Sequence, residues 1–344
     1  MLEALRAIYR FFDQRVGWNR VGLVLSLVII AIAAVVLYRI LHNIDVARVW
    51  LALQRVPSGH IVLAGLFVAA GYFTLTFYDY FALHTIGRHH VPYRIAALAG
   101  FTSYSVGHNV GATVFTGGAV RYRIYSAWEL TAVDVAKICF VAGLTFWLGN
   151  VTVLGLGMAW QPEAASAINL LPPSINRGLA LVALTVLVGY VAWVWAKPRV
   201  IGHSNWQVTL PGGPLTLLQI VIGIIDLAFC ALAMYMLVPD VPHIGFVKLA
   251  VIFVSATLLG FASHSPGGLG VFDAAMLVAL IEFEKEELVA GLLIFRLLYY
   301  VIPFALALGI LATRETWIGV ARRAAAAPED SAAKPGAAGK ADAA

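Results

Sequence analysis

The stretch Ser263-His264-Ser265-Pro266-Gly267-Gly268-Leu269-Gly270-Val271-Phe272-Asp273 decides how this chain is expected to fold. It lies between two apolar runs, at a point where a membrane-spanning chain should continue as helix. Proline lacks a backbone N–H, and glycine disfavours helix, so the helix is expected to stop here. Non-helical backbone at bilayer depth survives only where protein covers it or water reaches it. The stretch therefore predicts a broken or re-entrant segment, and such segments in transporters border the substrate path.

The composition of the chain is that of a membrane protein. Of its 344 residues, 61% are hydrophobic and only 12% are charged, whereas soluble domains carry roughly 25% charged residues. The net charge of +5 does not indicate nucleic-acid binding, because the basic residues cluster at the ends of apolar runs. We therefore predict an all-α, polytopic helical bundle with about seven or eight spans and two re-entrant or broken hairpins.

Three segments are expected along the chain. Residues 1–20 are predicted to form an amphipathic cytoplasmic segment, residues 21–313 a transmembrane region, and residues 314–344 a disordered cytoplasmic tail. The predicted spans are about 21–41, 61–84, 132–160, 177–195, 215–238, 244–262 and 288–313, and the predicted hairpins add residues 95–118 and an arm at about 269–283.

The distribution of Lys and Arg predicts the orientation. With the N-terminus in the cytoplasm and both interrupted stretches folded as hairpins, cytoplasmic segments hold about twice as many basic residues as outer segments. If residues 95–118 crossed the bilayer fully, Arg121 and Arg123 would move outside and every later loop would invert. The bias favours the hairpin and places both termini in the cytoplasm.

A lone aspartate precedes a glycine pair in each half of the chain. Asp79 lies 38 residues before Gly117-Gly118, and Asp226 lies 41 residues before Gly267-Gly268. Under the predicted orientation, the spans that hold the two aspartates run in opposite directions. This spacing suggests an inverted repeat, which places a substrate site near the midplane and gives alternating access. The residue-level similarity of the halves is slight, so unrelated halves remain the alternative.

Carboxylates within the predicted spans are candidate site residues. Burying one in hydrocarbon costs at least ~2.5 kcal/mol, so Asp79 and Asp226 should face a cavity or a partner. For Asp79 the alternative is an interfacial position near the end of its span, whereas Asp226 is mid-span and needs a partner or a proton. Arg296 is the expected counter-ion of Asp226 or Asp273, with a purely structural ion pair as the alternative. Asp273 caps a helix or meets a cationic head group.

Arg121 and Arg123 follow the first glycine pair. Glycine lets backbone N–H groups approach an anion, and guanidinium binds phosphate bidentately, so a lipid phosphate is the predicted ligand. Ordinary anchoring by positive charge at the cytoplasmic face is the alternative. Gly117, Gly118, Gly267 and Gly268 complete the predicted substrate-binding set.

No motif of an enzyme or a metal site is evident. The histidines do not have a metal-ligand spacing, and the chain has no nucleophile elbow, nucleotide phosphate loop or HExxH. We therefore predict no catalytic residue, no metal and no cofactor.

Two stretches, Thr116–Tyr125 and His264–Asp273, resemble the signatures of the lysylphosphatidylglycerol synthase transmembrane family. That family includes the N-terminal flippase domain of the multiple peptide resistance factor. The resemblance covers about residues 20–313. It implies that Asp79, Arg121, Asp226 and Asp273 fall where the family keeps charged residues tied to lipid translocation. Full-length members add a synthase domain, whereas a low-complexity tail follows here, so no synthesis of lysyl-lipid is expected.

Together these features predict a translocase of the bacterial inner membrane that moves aminoacylated phosphatidylglycerol or a related phospholipid. Arg121 and Arg123 would hold the phosphate, while Asp79, Asp226 and Asp273 would offset a cationic head group. The alternatives are a non-catalytic partner of a lipid synthase or glycosyltransferase, a membrane-embedded lipid-modifying enzyme and a proton-coupled small-solute carrier. Phospholipid and membrane are the expected partners, nucleic acid is not, and a separate synthase and a homodimer stay open.

Overall fold

The computed structural model describes residues 32, 35–39, 42, 44–203 and 206–332, with side chains up to residue 317. The predicted amphipathic segment at residues 1–20 lies outside the described residues, as does most of the predicted span at 21–41. The final residues, 333–344, also lie outside them.

The described chain is almost entirely helical. Its first helices are α1 (Val46–Arg55), α2 (Ser58–Thr85), α3 (Tyr93–Val110), α4 (Thr113–Tyr125), α5 (Ala132–Trp160), α6 (Pro162–Asn169) and α7 (Pro173–Ala196). Two short strands, β1 (Val200–His203) and β2 (Trp206–Thr209), then pair antiparallel with Ile201 opposite Val208. The remaining helices are α8 (Gly213–Tyr235), α9 (Phe246–Ala262), α10 (Val271–Ala279), α11 (Lys285–Arg296) and α12 (Ile302–Ala332).

Five helical segments in the described residues are long and apolar enough to cross a membrane. They are α2, α5, α7, α8 and the run Lys285–Trp317, which joins α11 to the start of α12. The predicted span at 244–262 corresponds to the shorter apolar helix α9. A bilayer core of about 30 Å needs about 20 helical residues, which each of the five segments provides. The chain is a multi-pass, all-α membrane protein, as its sequence predicts.

Helices α2 and α8 pack against each other in the middle of the bundle. Phe67 stacks on Phe229, while Tyr78, further along α2, reaches back to Asp226, so the two helices run in opposite directions. Helix α5 approaches α8 through glycine: a Cβ on Gly223 would lie 2.8 Å from the Cα of Gly149. Small residues allow such backbone contact between helices in a membrane, where close packing drives association.

Helices α3 and α4 form the first hairpin (Tyr93–Tyr125). The chain turns at Gly111, whose φ of +82° suits glycine. The helices then pack closely, since a Cβ on Gly117 would lie 3.1 Å from the Ser103 carbonyl oxygen. Ala96 from the start of the hairpin and Ile124 from its end lie in one apolar cluster. The chain therefore returns to the side from which it came.

Helices α9 and α10 form the second hairpin (Phe246–Ala279). Between them, Pro266–Gly268 make a short 3-10 turn in which Gly267 and Gly268 have positive φ. At the base, Lys248 Nζ lies 2.8 Å from Glu282 Oε1. The predicted interruption of the helix is confirmed, and re-entry of both hairpins into a membrane stays a prediction.

The tips of the two hairpins touch each other. A Cβ on Gly111 would lie 3.4 Å from the Pro266 Cα and 3.5 Å from the His264 carbonyl oxygen. On the other side of the contact, a Cβ on Gly267 would lie 3.7 Å from the His108 carbonyl oxygen. The two interrupted stretches, far apart in sequence, thus meet at their tips.

The predicted cytoplasmic tail begins within α12. This helix runs to Ala332 and so includes residues 314–332. Alanine has the highest helix propensity of the amino acids, and this segment contains a run of four alanines at 324–327. A disordered tail stays a prediction.

Candidate functional site

A cavity of about 290 Å³ lies where the two hairpin tips meet. Both tips contribute to its wall, and helices α2, α5, α8 and α9 supply further side chains. The aromatic side chains of the wall are Tyr104, Phe115, Phe146, Phe253, Phe261, Phe272, Tyr299 and Tyr300. Among the described residues that line it, none is Lys or Arg, and Asp226 is the single carboxylate. The cavity therefore combines an aromatic wall with one acidic group.

Asp226 is buried at the centre of α8, with 5% of its surface exposed. Its Oδ2 accepts a hydrogen bond from the Tyr78 hydroxyl at 3.1 Å. Its Oδ1 has no hydrogen-bond partner among the described residues. A carboxylate in a medium of low dielectric is costly without a compensating cation. Asp226 is thus suited to bind a positively charged group that enters the cavity.

Asp79 is placed very differently, because Arg121 binds it directly. Arg121 Nε donates to Asp79 Oδ2 at 2.9 Å, and Nη2 donates to Oδ1 at 2.7 Å. The Tyr125 hydroxyl donates to Asp79 Oδ2 at 2.9 Å, and the guanidinium lies over the Tyr104 ring at 4.8 Å. The side chains of Asp79 and Arg121 are 0% and 4% exposed. This buried pair joins α2 to the first hairpin.

The contact between Asp79 and Arg121 bears on the substrate-binding roles that the sequence predicted for both residues. Arg121 Nε and Nη2, the edge that would bind a phosphate, already bind Asp79. Neither residue is among those that line the cavity. Arg123 is exposed and binds Glu315, with Nε 3.0 Å from Oε1. The sequence predicted no ion pair between Asp79 and Arg121, and the structure shows one. Phosphate binding by Arg121 or Arg123 stays a prediction.

Asp273 pairs with Arg296 next to the second tip. Arg296 Nε donates to Asp273 Oδ1 at 2.8 Å, and Nη2 donates to Oδ2 at 2.6 Å. The Gly270 backbone N–H also donates to Asp273 Oδ2, at 3.0 Å, so Asp273 caps α10 as well. Arg296 Nη1 reaches the Gly267 carbonyl oxygen at 3.2 Å. Of the two counter-ion roles predicted for Arg296, the structure places it against Asp273.

The four predicted glycines divide between the two hairpins. Gly267 and Gly268 line the cavity. Gly117 and Gly118 are not among the lining residues: Gly117 lies against Ser103, and a Cβ on Gly118 would lie 3.7 Å from Cys139 Sγ. The first glycine pair therefore serves helix packing within the described structure, whereas the second borders the cavity.

A π-helical turn at Leu297–Val301 was not expected from the sequence, and it joins the tips to the core. The Tyr72 hydroxyl donates to the Tyr299 carbonyl oxygen at 2.9 Å, and Asn109 Nδ2 donates to the Tyr300 carbonyl oxygen at 3.1 Å. Pro303, four residues after Tyr299, has no N–H to offer that carbonyl. The sequence signal for the turn was therefore Pro303, since π-turns accompany disrupted helical hydrogen bonding and often mark functional sites.

His108 also lines the cavity and was not assigned a role from the sequence. Its Nδ1 is buried without a hydrogen-bond partner among the described residues, and its ring stacks on Tyr299 at 6.1 Å. Within the described residues, no group of three or more His, Cys, Asp or Glu side chains is arranged to hold a metal ion.

Comparison with known proteins identifies relatives but no matching family model. The chain is 29% identical over 266 residues to the uncharacterized protein slr0712 of Synechocystis sp., covering 76% of this chain and 82% of that protein. It is 26% identical over 299 residues to the inner membrane protein YbhN of Escherichia coli, covering 85% and 91%. It is 26% identical over 296 residues to the phosphatidylglycerol lysyltransferase of Staphylococcus xylosus, covering 84% of this chain but 33% of that protein.

These relatives confirm the resemblance noted in the sequence. The chain is a homologue of YbhN-type inner membrane proteins and of part of the staphylococcal phosphatidylglycerol lysyltransferases. It spans about a third of the length of the Staphylococcus xylosus protein.

Proposed function

We propose that this chain is a lipid translocase of the bacterial inner membrane, with an aminoacylated phosphatidylglycerol or a related cationic phospholipid as its substrate. The observation that carries the proposal is the cavity between the two hairpin tips, where Asp226 has no cation beside it among the described residues. The homology to phosphatidylglycerol lysyltransferases supports the lipid class.

The amino group of the head group would bind Asp226 inside the cavity. Charge-assisted hydrogen bonds to a carboxylate are about twice as strong as neutral ones. An aromatic chamber with one carboxylate selects for a cation and against a free phosphate.

The acyl chains would stay in an apolar environment while the head group passes. A groove of about 470 Å³, lined only by apolar side chains of α5, α8 and α9, adjoins the cavity at Leu227. Leu156 and Trp160 on its rim are 57% and 77% exposed. The groove thus supports a pathway in which the chains lie outside the bundle beside the head group.

The touching tips would act as the gate. Parting the first hairpin from the second would open the cavity to one face or the other, as expected for inverted repeats. The Asp79–Arg121 and Asp273–Arg296 pairs would keep each hairpin rigid during this motion. In this scheme both termini face the cytoplasm, and a separate synthase would supply the aminoacylated lipid.

The direct test is translocation by the purified chain in vesicles of phosphatidylcholine and phosphatidylglycerol that contain fluorescent lysyl-phosphatidylglycerol. We expect the wild-type chain to move the label between leaflets faster than empty vesicles do. Asp226→Asn should slow this by about 10- to 100-fold, because a hydrogen bond to a charged group contributes about 1.5–3 kcal/mol. The exposed carboxylate Glu163 lies on α6 and provides the matched control, Glu163→Gln. No acceleration by the wild-type chain would contradict the proposed function.

A further inference from the structure

We propose that Asp226 binds a proton when the cavity holds no substrate and exchanges that proton for the cationic head group. Translocation of one cationic lipid would then be coupled to the movement of one proton in the opposite direction. This inference rests on the proposed function and adds the energy source of transport.

The first support is that Asp226 is buried with few hydrogen-bond donors around it. Asp226 Oδ1 has no hydrogen-bond partner among the described residues, and Oδ2 has one donor, the Tyr78 hydroxyl. An ionised carboxylate in such a place is expensive, so it is stabilised either by a proton or by a cation. The two ligands compete for the same oxygens, which is the requirement for exchange.

The second support is the contrast with the other carboxylates beside the hairpins. Arg121 binds both oxygens of Asp79, and Arg296 binds both oxygens of Asp273. Arginine stays charged in proteins, so each of these two carboxylates already has a cation. Asp226 is therefore the carboxylate at the cavity whose charge is free to change.

Other titratable groups surround Asp226 and must be compared with it as sites of proton exchange. The titratable side chains that face it or share its cavity are Tyr72, Tyr78, Tyr104, His108, Cys230, His264, Tyr299 and Tyr300. Arg121 lies over the Tyr104 ring, but its charge is bound to Asp79. His108 is the competing candidate, because its Nδ1 is also unpartnered in the described residues.

The exchange balances in protons and charge. When the ammonium of the head group binds, the O–H bond of the Asp226 carboxyl breaks and its proton leaves to water on the entry side. The carboxylate then stays paired with the ammonium as the gate changes sides. On the exit side the ammonium leaves and a proton from the water there binds Asp226. Lipid and proton have moved in opposite directions, so labelled lipid should accumulate in the leaflet that faces the more acidic compartment.

The first experiment imposes a pH difference across vesicles that contain the full chain and fluorescent lysyl-phosphatidylglycerol. We expect the ratio of label between leaflets to shift toward the acidic side by up to about tenfold per pH unit. Asp226→Glu should keep this response, Asp226→Asn should lose it, and His108→Gln should keep it. A wild-type chain that moves the label without any response to the gradient would overturn the exchange while leaving the translocase standing. Loss of the response in His108→Gln, with Asp226→Asn unaffected, would overturn the assignment to Asp226.

A second experiment does not depend on translocation. Infrared difference spectra of the chain, taken while the pH is raised and while short-chain lysyl-phosphatidylglycerol is added, report protonated carboxyl groups. We expect a carboxyl band that disappears in both titrations and is missing in Asp226→Asn. A band that responds to pH but not to this lipid would overturn the exchange of the proton for this lipid, while Asp226 would remain the proton site. A band that is absent from the wild-type chain, or unchanged in Asp226→Asn, would overturn the proton site itself.

Discussion

The two aspartates that each precede a glycine pair in the sequence have opposite surroundings. Asp79 on α2 receives two donors from Arg121 and one from Tyr125, whereas Asp226 on α8 receives one donor from Tyr78. The two helices pack against each other, and both side chains are buried, with 0% and 5% of the residue surface exposed. Burial within a span therefore does not decide how a carboxylate is paired. What decides it is whether a neighbouring element supplies a cation.

The two hairpins are each held by one Asp–Arg pair, but with the partners reversed. In the first hairpin, Arg121 belongs to the hairpin and Asp79 to a core helix. In the second, Asp273 belongs to the hairpin and Arg296 to the core. The first pair is 0–4% exposed, and the second is 13–16% exposed. Removing each pair should therefore lower the free energy of unfolding by a different amount.

The largest effect should come from Arg121→Gln. It leaves Asp79 charged and buried without a cation, which costs about 3–5 kcal/mol. We expect that loss in the free energy of unfolding measured in detergent micelles. The double variant with Asp79→Asn should recover most of it, because no buried charge then remains. The exposed Arg123→Gln should leave stability unchanged. Equal losses in the single and double variants would contradict the buried pair.

Arg296→Gln should have a smaller effect. Asp273 keeps the Gly270 N–H and lies nearer to the surface of the fold, so the expected loss is about 1.5–3 kcal/mol. The same unfolding measurement compares it with Arg121→Gln. A loss as large as that of Arg121→Gln would show that exposure does not distinguish the two hairpins.

Gly111→Ala tests the contact between the tips. The glycine has φ +82° and ψ −178°, a region that other residues avoid, and the new Cβ would lie 3.4 Å from the Pro266 Cα. We expect a loss of about 1–3 kcal/mol. Gly189→Ala, in α7 with open space around it, should instead stabilise by about 0.5–1 kcal/mol. If Gly111→Ala left the free energy of unfolding unchanged, the first tip would not be constrained by the second.

Tyr72→Phe should give the smallest effect. It removes one donor to the Tyr299 carbonyl oxygen, at an expected cost of about 0.5–1.5 kcal/mol. Pro303→Ala restores a backbone N–H near that carbonyl, so the cost of Tyr72→Phe should shrink in that background. A double-mutant cycle on the free energy of unfolding measures the coupling. If the losses from Tyr72→Phe and Pro303→Ala simply add, Pro303 does not influence the Tyr72 contact.

The positions of many helices were predictable from hydrophobicity and from proline and glycine residues that interrupt helices. The predicted spans at 61–84, 132–160 and 215–238 each overlap a helix closely. The Pro266–Gly268 interruption was predictable because proline and glycine act locally, through the backbone. Residues 95–118 were expected to form a hairpin from charge placement, and both ends of the observed hairpin, Tyr93–Tyr125, lie in one cluster.

The pairing of charges was not predictable in the same way. Asp79 and Arg121 are 42 residues apart, and their contact depends on how α2 and α4 are rotated. Helices apolar on all sides give no amphipathic pattern from which that rotation can be deduced. The sequence therefore identified Asp79 and Asp226 as special without distinguishing the paired carboxylate from the unpaired one. The Tyr78 and Asn109 contacts were missed for the same reason.

Translocation in this scheme requires the two hairpin tips to part. Ala112 and Pro266 are both exposed at the tip contact. In a chain with Cys139→Ala and Cys230→Ala, cysteines can replace Ala112 and Pro266 and be joined by a short, reducible cross-linker. The measurement is the rate at which labelled lysyl-phosphatidylglycerol changes leaflets, with both single-cysteine chains as controls. We predict that bridging stops the movement and that reduction restores it; an unchanged rate in the bridged chain would contradict the gate.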